Sequence, residues 1–320
     1  MSQPTIEVEH LSKVYGSVTA IEDIHFNVAA GEIIGFLGPN GAGKTTTMRI
    51  LAGYLPATTG TAKIAGYDVH QHSMQVRRRI GYLPETPPLY PDMSVKGFLS
   101  FVAKIKDINA GDRRRQVHRA MTRCQLIDHE DTAIRKLSKG YRQRVGIAQA
   151  IVHEPPVIIL DEPTVGLDPR QIIEVRNLIK SLAGEHTIIL STHILPEASM
   201  ICDRVTIINQ GKVITSNTPQ DLQTELESSP GYEVELAGSL EQVIPRLKSV
   251  SGVVQVNQAE SLSEHHRLKI VCSPNTEVGQ EIAKIVINQG LELHEMRRTR
   301  PSLEDVFLKL TTEESLNANN

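Results

Sequence analysis

Residues 32–45 read EIIGFLGPNGAGKT, and no other stretch restricts the fold so tightly. IIGFL is a nearly continuous apolar run, the pattern of a strand buried on both faces. It enters a glycine-rich turn and then a helical pattern, KTTTMRIL. Gly38 to Thr45 matches G-x-x-x-x-G-K-[ST] in the strand–turn–helix context that this motif requires. The chemistry needs these residue types. The backbone across Gly38, Asn40, Gly41, Ala42 and Gly43 curls so that successive N–H groups face phosphates. Lys44 reaches the β- and γ-phosphates, the Thr45 hydroxyl can ligate Mg²⁺, and Thr46 continues the loop into the helix. The expected ligands are nucleotide β- and γ-phosphates and Mg²⁺.

Two further apolar strands end in chemically loaded residues. VIILDE (157–162) ends in two carboxylates. Asp161 is placed to hold Mg²⁺ directly or through water, and Glu162 to orient or deprotonate an attacking water. TIILSTH (187–193) puts His193 at the end of a strand whose carboxyl end should face the ligand crevice, where it would meet the γ-phosphate. Residues 137–144, LSKGYRQR, describe a second anion site. Ser138 is a plausible N-cap, and Lys139-Gly140 leaves backbone amides bare at a helix N-terminus. One chain needs two anion sites if Ser138 and the amides near Gly140 cap the γ-phosphate held by another copy. Lys139 is then expected to point outward, adding charge beside that interface, and Tyr141 to pack or line it.

The order of patterns gives the organisation. Alternating segments TIEVEHLSKVYG and AIEDIHFNV predict half-buried antiparallel strands before the buried strand. After a short strand at RIGYLPE, apolar residues at three- and four-residue spacing over 92–155 predict helices. VIILDEPT, a helix near 170–183, TIILSTH and RVTIINQGKVI then restore an α/β alternation. A polar stretch, 216–231, marks a boundary with a helical middle. Beyond it the pattern is βαββαβ, a ferredoxin-like module, followed by a short helix at PSLEDVFLKLT and a tail. The expected domains are 1–218, with a helical subdomain over about 85–155, and 219–320.

The bulk properties exclude several classes. Net charge is −3, which predicts no general affinity for nucleic acid. The charge is uneven: residues 71–145 hold 16 Lys/Arg against 7 Asp/Glu. A solvated helical surface explains that, and so does a face toward acidic lipids or an acidic partner. No apolar run approaches the roughly 18 residues of a membrane span, and MSQPTIEVEH lacks the pattern of a signal peptide. Cys124, Cys202 and Cys272 are scattered without metal spacing, which fits reduced thiols.

KVYG, GPNGAGKTT, GYLPE, LSKGYRQR, VIILDEPT, VGLD and STH, in that order over residues 5–215, resemble the ATP-binding subunits of ABC transporters. The resemblance implies a P-loop ATPase domain with a mixed sheet and a helical subdomain. It also implies that Tyr15 stacks on adenine and that Asp168 couples two subunits. The loop that usually carries glutamine has Glu85, which can still bind Mg²⁺ or its water. The signature usually reads leucine-serine-glycine-glycine-glutamine and here reads Leu137-Ser138-Lys139-Gly140-Tyr141. The C-terminal module and PSLEDVFLKLT resemble ATPases of bacterial type-2 exporters, including drug-resistance and gliding-motility ATPases. The implied partners are transmembrane permease subunits and a second copy or a homologous ATPase, with the chain peripheral on the cytoplasmic face of the membrane. A non-transport ABC ATPase of DNA maintenance or translation is the alternative. The first usually has a long coiled-coil interruption and the second a tandem ATPase; neither is present in the sequence.

Overall fold

The computed structural model describes residues 5–222, 231–238, 240, 243–262, 265–273 and 276–299. The boundary segment is helical over residues 219–222; its residues 223–230, the expected helix at PSLEDVFLKLT and the tail lie outside the described residues. The chain divides into two compact units, 1–219 and 220–320.

In the first unit, β1 (Ile6–Tyr15) and β2 (Val18–Val28) form a hairpin whose alternating burial matches their alternating sequence. β3 (Ile33–Leu37) is buried at every residue and runs through the glycine-rich turn into α1 (Lys44–Leu51). β4 (Thr59–Ile64) and β5 (Tyr67–Asp68) extend the hairpin to a four-stranded antiparallel sheet of order β2-β1-β4-β5. α2 (Ser73–Arg79) and β6 (Ile80–Leu83) lead into the helical region, α3 (Val95–Ile105), α4 (Ala110–Arg123) and α5 (Lys139–Ile151). β7 (Val157–Asp161), α6 (Pro169–Leu182), β8 (Thr187–Thr192), α7 (Leu195–Ile201), β9 (Arg204–Asn209) and β10 (Lys212–Asn217) complete the unit.

The second sheet has order β10-β9-β3-β8-β7-β6 and is parallel except at its β10 edge. β3, β8 and β7 are neighbours, so their carboxyl ends share one rim. That places the glycine-rich turn, Asp161-Glu162 and His193 side by side, as expected of an open parallel sheet. One core joins the two sheets and α1: Ile6, Ile24, Phe26 and Ile64 share a buried cluster with Ile34, Phe36, Met48 and Leu51. Phe26 and Phe36 meet with ring centroids 5.0 Å apart.

The second unit runs β11 (Gly231–Ala237), α8 (Val243–Lys248), β12 (Val253–Leu262), β13 (His265–Cys272), α9 (Gly279–Asn288) and β14 (Glu292–Thr299). Its antiparallel sheet has order β12-β13-β11-β14, with its own core of Val234, Leu236, Leu247, Leu268, Ile270, Ile282 and Val286. This is the ferredoxin-like arrangement that the alternating patterns predict.

Among the described residues, seven of the sixteen basic side chains of 71–145 form ion pairs. Arg78 meets Asp107, Arg115 meets Asp112 and Arg144 meets Glu174, while Arg119 and Arg123 share Glu185. Carboxylates outside the stretch, Glu154, Glu174 and Glu185, offset only part of the excess, so both explanations of the basic stretch stand. The three cysteines are free and buried.

Candidate active site

The loop from Gly38 to Gly43 is held from below by its own lysine. Lys44 Nζ donates to Gly38 O at 2.7 Å and Pro39 O at 3.1 Å, and lies 3.4 Å from Glu162 Oε1. Lys44 is only 6% exposed, so the ammonium is fixed where a phosphate placed in the loop would meet it. Gly43 must be glycine on two counts. Its φ is +106°, and an added Cβ would lie 2.7 Å from Ala20 O and 2.6 Å from Ile21 Cγ2. With no Cβ there, the loop backbone lies directly against β2.

Thr45 Oγ1 donates to Asp161 Oδ1 at 3.2 Å, and Ser191 Oγ donates to the same oxygen at 2.6 Å. Ser191 also accepts from the Glu162 amide at 3.0 Å. Glu162 has φ +50°, an uncommon conformation for a non-glycine residue. The Ser191 contacts hold the backbone in it and turn the side chain back over the sheet rim. There Glu162 Oε2 lies 3.0 Å from His193 Nδ1. Glu162 is nearly buried, whereas the His193 side chain is 41% exposed. The Glu162 carboxylate is therefore shielded while its partner reaches the surface.

Burial pushes the Asp161 carboxyl above the usual carboxylate range, outweighing the hydrogen bonds from Ser191 and Thr45 that lower it. A carboxyl raised in the folded state contributes stability that is fully present below its unfolded pKa and is lost as pH rises through the folded value. Asp161→Asn removes that loss. It should raise the melting temperature of the nucleotide-free chain at neutral pH, by about 2–4 °C per kcal/mol recovered, and abolish turnover. The gain should vanish in melts at acidic pH, where wild-type Asp161 is already neutral. No gain at neutral pH counts against the burial cost. The same burial, aided by the Asp161 charge, raises the neighbouring Tyr82 hydroxyl to about 12.

A cavity of about 230 Å³ opens above these groups, lined among others by Lys44, Thr45, Thr46, Glu85, Glu162 and His193. Asn40, Gly41 and Gly43 line it as well, so the structure brings together most of the residues that the motifs single out. Gly38 and Ala42 lie in the same loop below it. A separate cleft of about 840 Å³, between β1–β2 and β9–β10, holds none of them.

Seven of the expected residues are absent from this cavity's lining: Gly38, Ala42 and Asp161, which belong to the loop or bond to Thr45, and Tyr15, Asp168, Ser138 and Gly140. Tyr15, at the end of β1, is 47% exposed, with Lys13 Nζ 5.1 Å from its ring centroid. Asp168 caps α6, accepting from the Gln171 amide at 2.9 Å. Ser138 caps α5, accepting from the Tyr141 amide at 3.3 Å. Gly140 is buried behind it, and a Cβ there would lie 2.6 Å from Gln171 Cδ of the same chain. The expectation for Lys139 needs correction. The residue is exposed, but its ammonium folds across Gly166, in the turn between Glu162 and Asp168, rather than pointing away. Tyr141 packs edge-on against His129, centroids 4.3 Å apart.

Sequence reasoning missed Ser191, Glu197 and Gln171. Ser191 sits two residues before His193 and pairs in register with Asp161 across β7 and β8, so its role follows from strand register and not from a motif. Glu197 is buried and accepts from Thr164 Oγ1 at 2.5 Å.

The sequence matches the ABC transporter family over residues 21–165. It is 34% identical to the bacitracin transport ATP-binding protein of Bacillus licheniformis, over 95% of this chain and 96% of that one. It is 33% identical to a daunorubicin resistance ATP-binding protein of Streptomyces coeruleorubidus, over 96% and 94%. The chain belongs to the ABC transporter ATP-binding proteins. A solved component of the cbiONQ ABC transporter complex of Clostridium perfringens superposes with a TM-score of 0.65 at 31% identity, over 70% of this chain and 92% of that one. As an ABC transporter ATP-binding protein, the chain is an ATPase whose hydrolysis powers transport. The two relatives above, both named as transport or resistance ATP-binding proteins, match over 94% or more of their length, and the DNA-maintenance or translation alternative is not favoured.

Proposed function

We propose that this ATPase works as a dimer, with itself or a homologous ATPase, that drives export through separate permease subunits. In this reading Lys44 and the loop amides hold the β- and γ-phosphates of ATP, and Tyr15 stacks on the adenine. Glu162 polarises the attacking water, and His193 holds both Glu162 and the γ-phosphate. Ser138 and the amides near Gly140 cap the γ-phosphate bound by the other subunit. Asp168 lies at the subunit contact. The observation that carries the reading is the single cavity shared by Lys44, Thr45, Glu85, Glu162 and His193.

The residues fit Mg²⁺ as a partner of the substrate. The described residues contain no cluster of three or more His, Cys, Asp or Glu that could cage a metal. Thr45 Oγ1 and Asp161 instead present two adjoining oxygens, the partial set expected where Mg²⁺ is held with substrate phosphates. Glu85 faces the same cavity and is a third donor, direct or through water. When bound, Mg²⁺ supplies neutralisation of charge at the phosphate oxygens.

No helix among the described residues is long and apolar enough to cross a membrane. The permease then supplies the membrane part and holds the chain at the cytoplasmic face. A cleft of about 300 Å³ between α2 and α3 fits that contact. Its lining includes the exposed apolar side chains of Tyr54, Met74 and Ile105. Lys106 lies in its wall, donating to Arg77 O and Ile80 O, with burial lowering its pKa to about 8. The relatives named for bacitracin transport and daunorubicin resistance support export as the direction. Cysteines placed at Met74 and Ile105 should crosslink to the permease of a co-purified complex. Crosslinks confined to residues 231–320 would overturn this docking surface.

A further inference from the structure

β7 and β8 run parallel and in register up to Asp161 and Ser191, and then the chain diverges. One branch is the turn 163–168, and the other leads past His193 into α7. Two side-chain bonds cross the divergence. The first joins Glu162 to His193 and is open to solvent on the histidine side. The second joins Thr164 Oγ1 to Glu197 Oε2 at 2.5 Å, with Thr164 4% and Glu197 8% exposed. A buried carboxylate is costly unless hydrogen-bonded, and among the described residues Thr164 is the hydrogen-bond partner of the Glu197 side chain.

We propose that Glu197 is a positioning residue for hydrolysis: through Thr164 it locks the turn that follows Glu162 to the helix that follows His193, fixing the two as one unit. The inference rests on Glu162 and His193 acting as proposed above. The turn itself makes no other side-chain hydrogen bond across the gap among the described residues; beyond it, α6 meets α7 through Arg176 and Met200. Its own backbone bonds, Val165 N to Glu162 O and Leu167 N to Thr164 O, are local. Without the buried bond, Glu162 and His193 keep their chemistry but lose their relative placement, and a misplacement of about 1 Å can cost about 100-fold in rate.

The test uses the purified full-length chain, measuring kcat and KM for ATP together with the melting temperature. Thr164→Val keeps the side-chain volume and removes the donor. It should lower kcat by about 10- to 100-fold with KM changed less than about 2-fold, while Thr164→Ser, which restores a hydroxyl, recovers most of kcat. Thr164→Val combined with Glu197→Met removes both polar ends, so the melting temperature should return toward wild type. A purely structural bond predicts that kcat returns with it; a positioning bond predicts that kcat stays low. Recovery of turnover in the double variant, or an unchanged kcat in Thr164→Val, overturns the proposal. If Thr164→Val alone does not fold, the double variant carries the same comparison, since it leaves no unpaired buried group. Glu162→Gln measured alongside separates the two readings. An active Glu162→Gln removes the catalytic assignment itself, whereas an inactive Glu162→Gln with an active Thr164→Val removes only the role of Glu197.

Discussion

Glu162→Gln is expected to lower ATP turnover by about 100- to 10,000-fold, the range of general-base catalysis, while leaving ATP binding intact. The amide preserves the shape of the side chain and can still approach His193 Nδ1, now 3.0 Å from Oε2. It cannot take a proton. It also removes the negative charge 3.4 Å from Lys44 Nζ, so the ammonium loses a competitor for the triphosphate. The expected signature is a collapse of kcat with an equal or lower dissociation constant for ATP, and a trapped ATP-bound dimer. Steady-state hydrolysis with a nucleotide-binding titration checks it, and retention of most of the turnover would remove Glu162 from its role. Lys44→Ala should give the opposite pattern, weak binding, because it deletes the cation that the loop carbonyls and Glu162 hold in place.

The second large effect is expected at the N-terminus of α5. Gly140→Asp should abolish ATP-driven dimerisation in the Glu162→Gln background while each monomer still binds nucleotide. Hydrogen bonds to a charged group contribute about 1.5–3 kcal/mol, so loss of the phosphate cap is worth roughly 10- to 150-fold in dimer affinity. An aspartate in the first helical turn suits the helix itself. Its carboxylate, however, occupies the place where a phosphate of the other subunit would accept the amides. The position carries a second constraint, because a Cβ at Gly140 runs into Gln171 of the same chain. Gly140→Ala with Gln171→Ala is therefore the neutral control. It should dimerise, whereas Gly140→Asp with Gln171→Ala, equally free of that clash, should not, which leaves the charge as the cause. Light scattering with ATP reads both, and normal dimerisation of Gly140→Asp would mean that this helix end does not serve the other subunit's nucleotide.

Much of the site could be read in the sequence because its chemistry is local. A glycine-rich turn between a buried strand and a helix makes a phosphate cradle wherever it occurs, since the backbone N–H groups and Lys44 lie within one turn of each other. Asp161-Glu162 and His193 end strands with apolar centres, VIIL and IIL, and such strands pack in the centre of a parallel sheet with their carboxyl ends on one rim. The β1–β2 hairpin, the helical region and the C-terminal βαββαβ unit likewise follow from periods of two and of about 3.6 in the apolar residues, whereas β4 and β5, which complete the four-stranded sheet, were not foreseen.

Strand order and register were decided only by the tertiary structure. Placing β8 between β3 and β7 sets Ser191 opposite Asp161. That one pairing gives Asp161 a donor and holds Glu162 in a backbone conformation that its sequence does not favour. Lys139 is the clearest case of a residue that local reasoning misplaced. Nothing local to a lysine at an exposed helix end says which neighbour its ammonium will overlie; it lies over the exposed Gly166 because the turn after β7 comes to lie beside the start of α5. Thr164 and Glu197 are 33 residues apart in the chain. They meet because the chain leaves two parallel strands at the same level, a relation that a linear sequence carries only through the packing of the whole sheet.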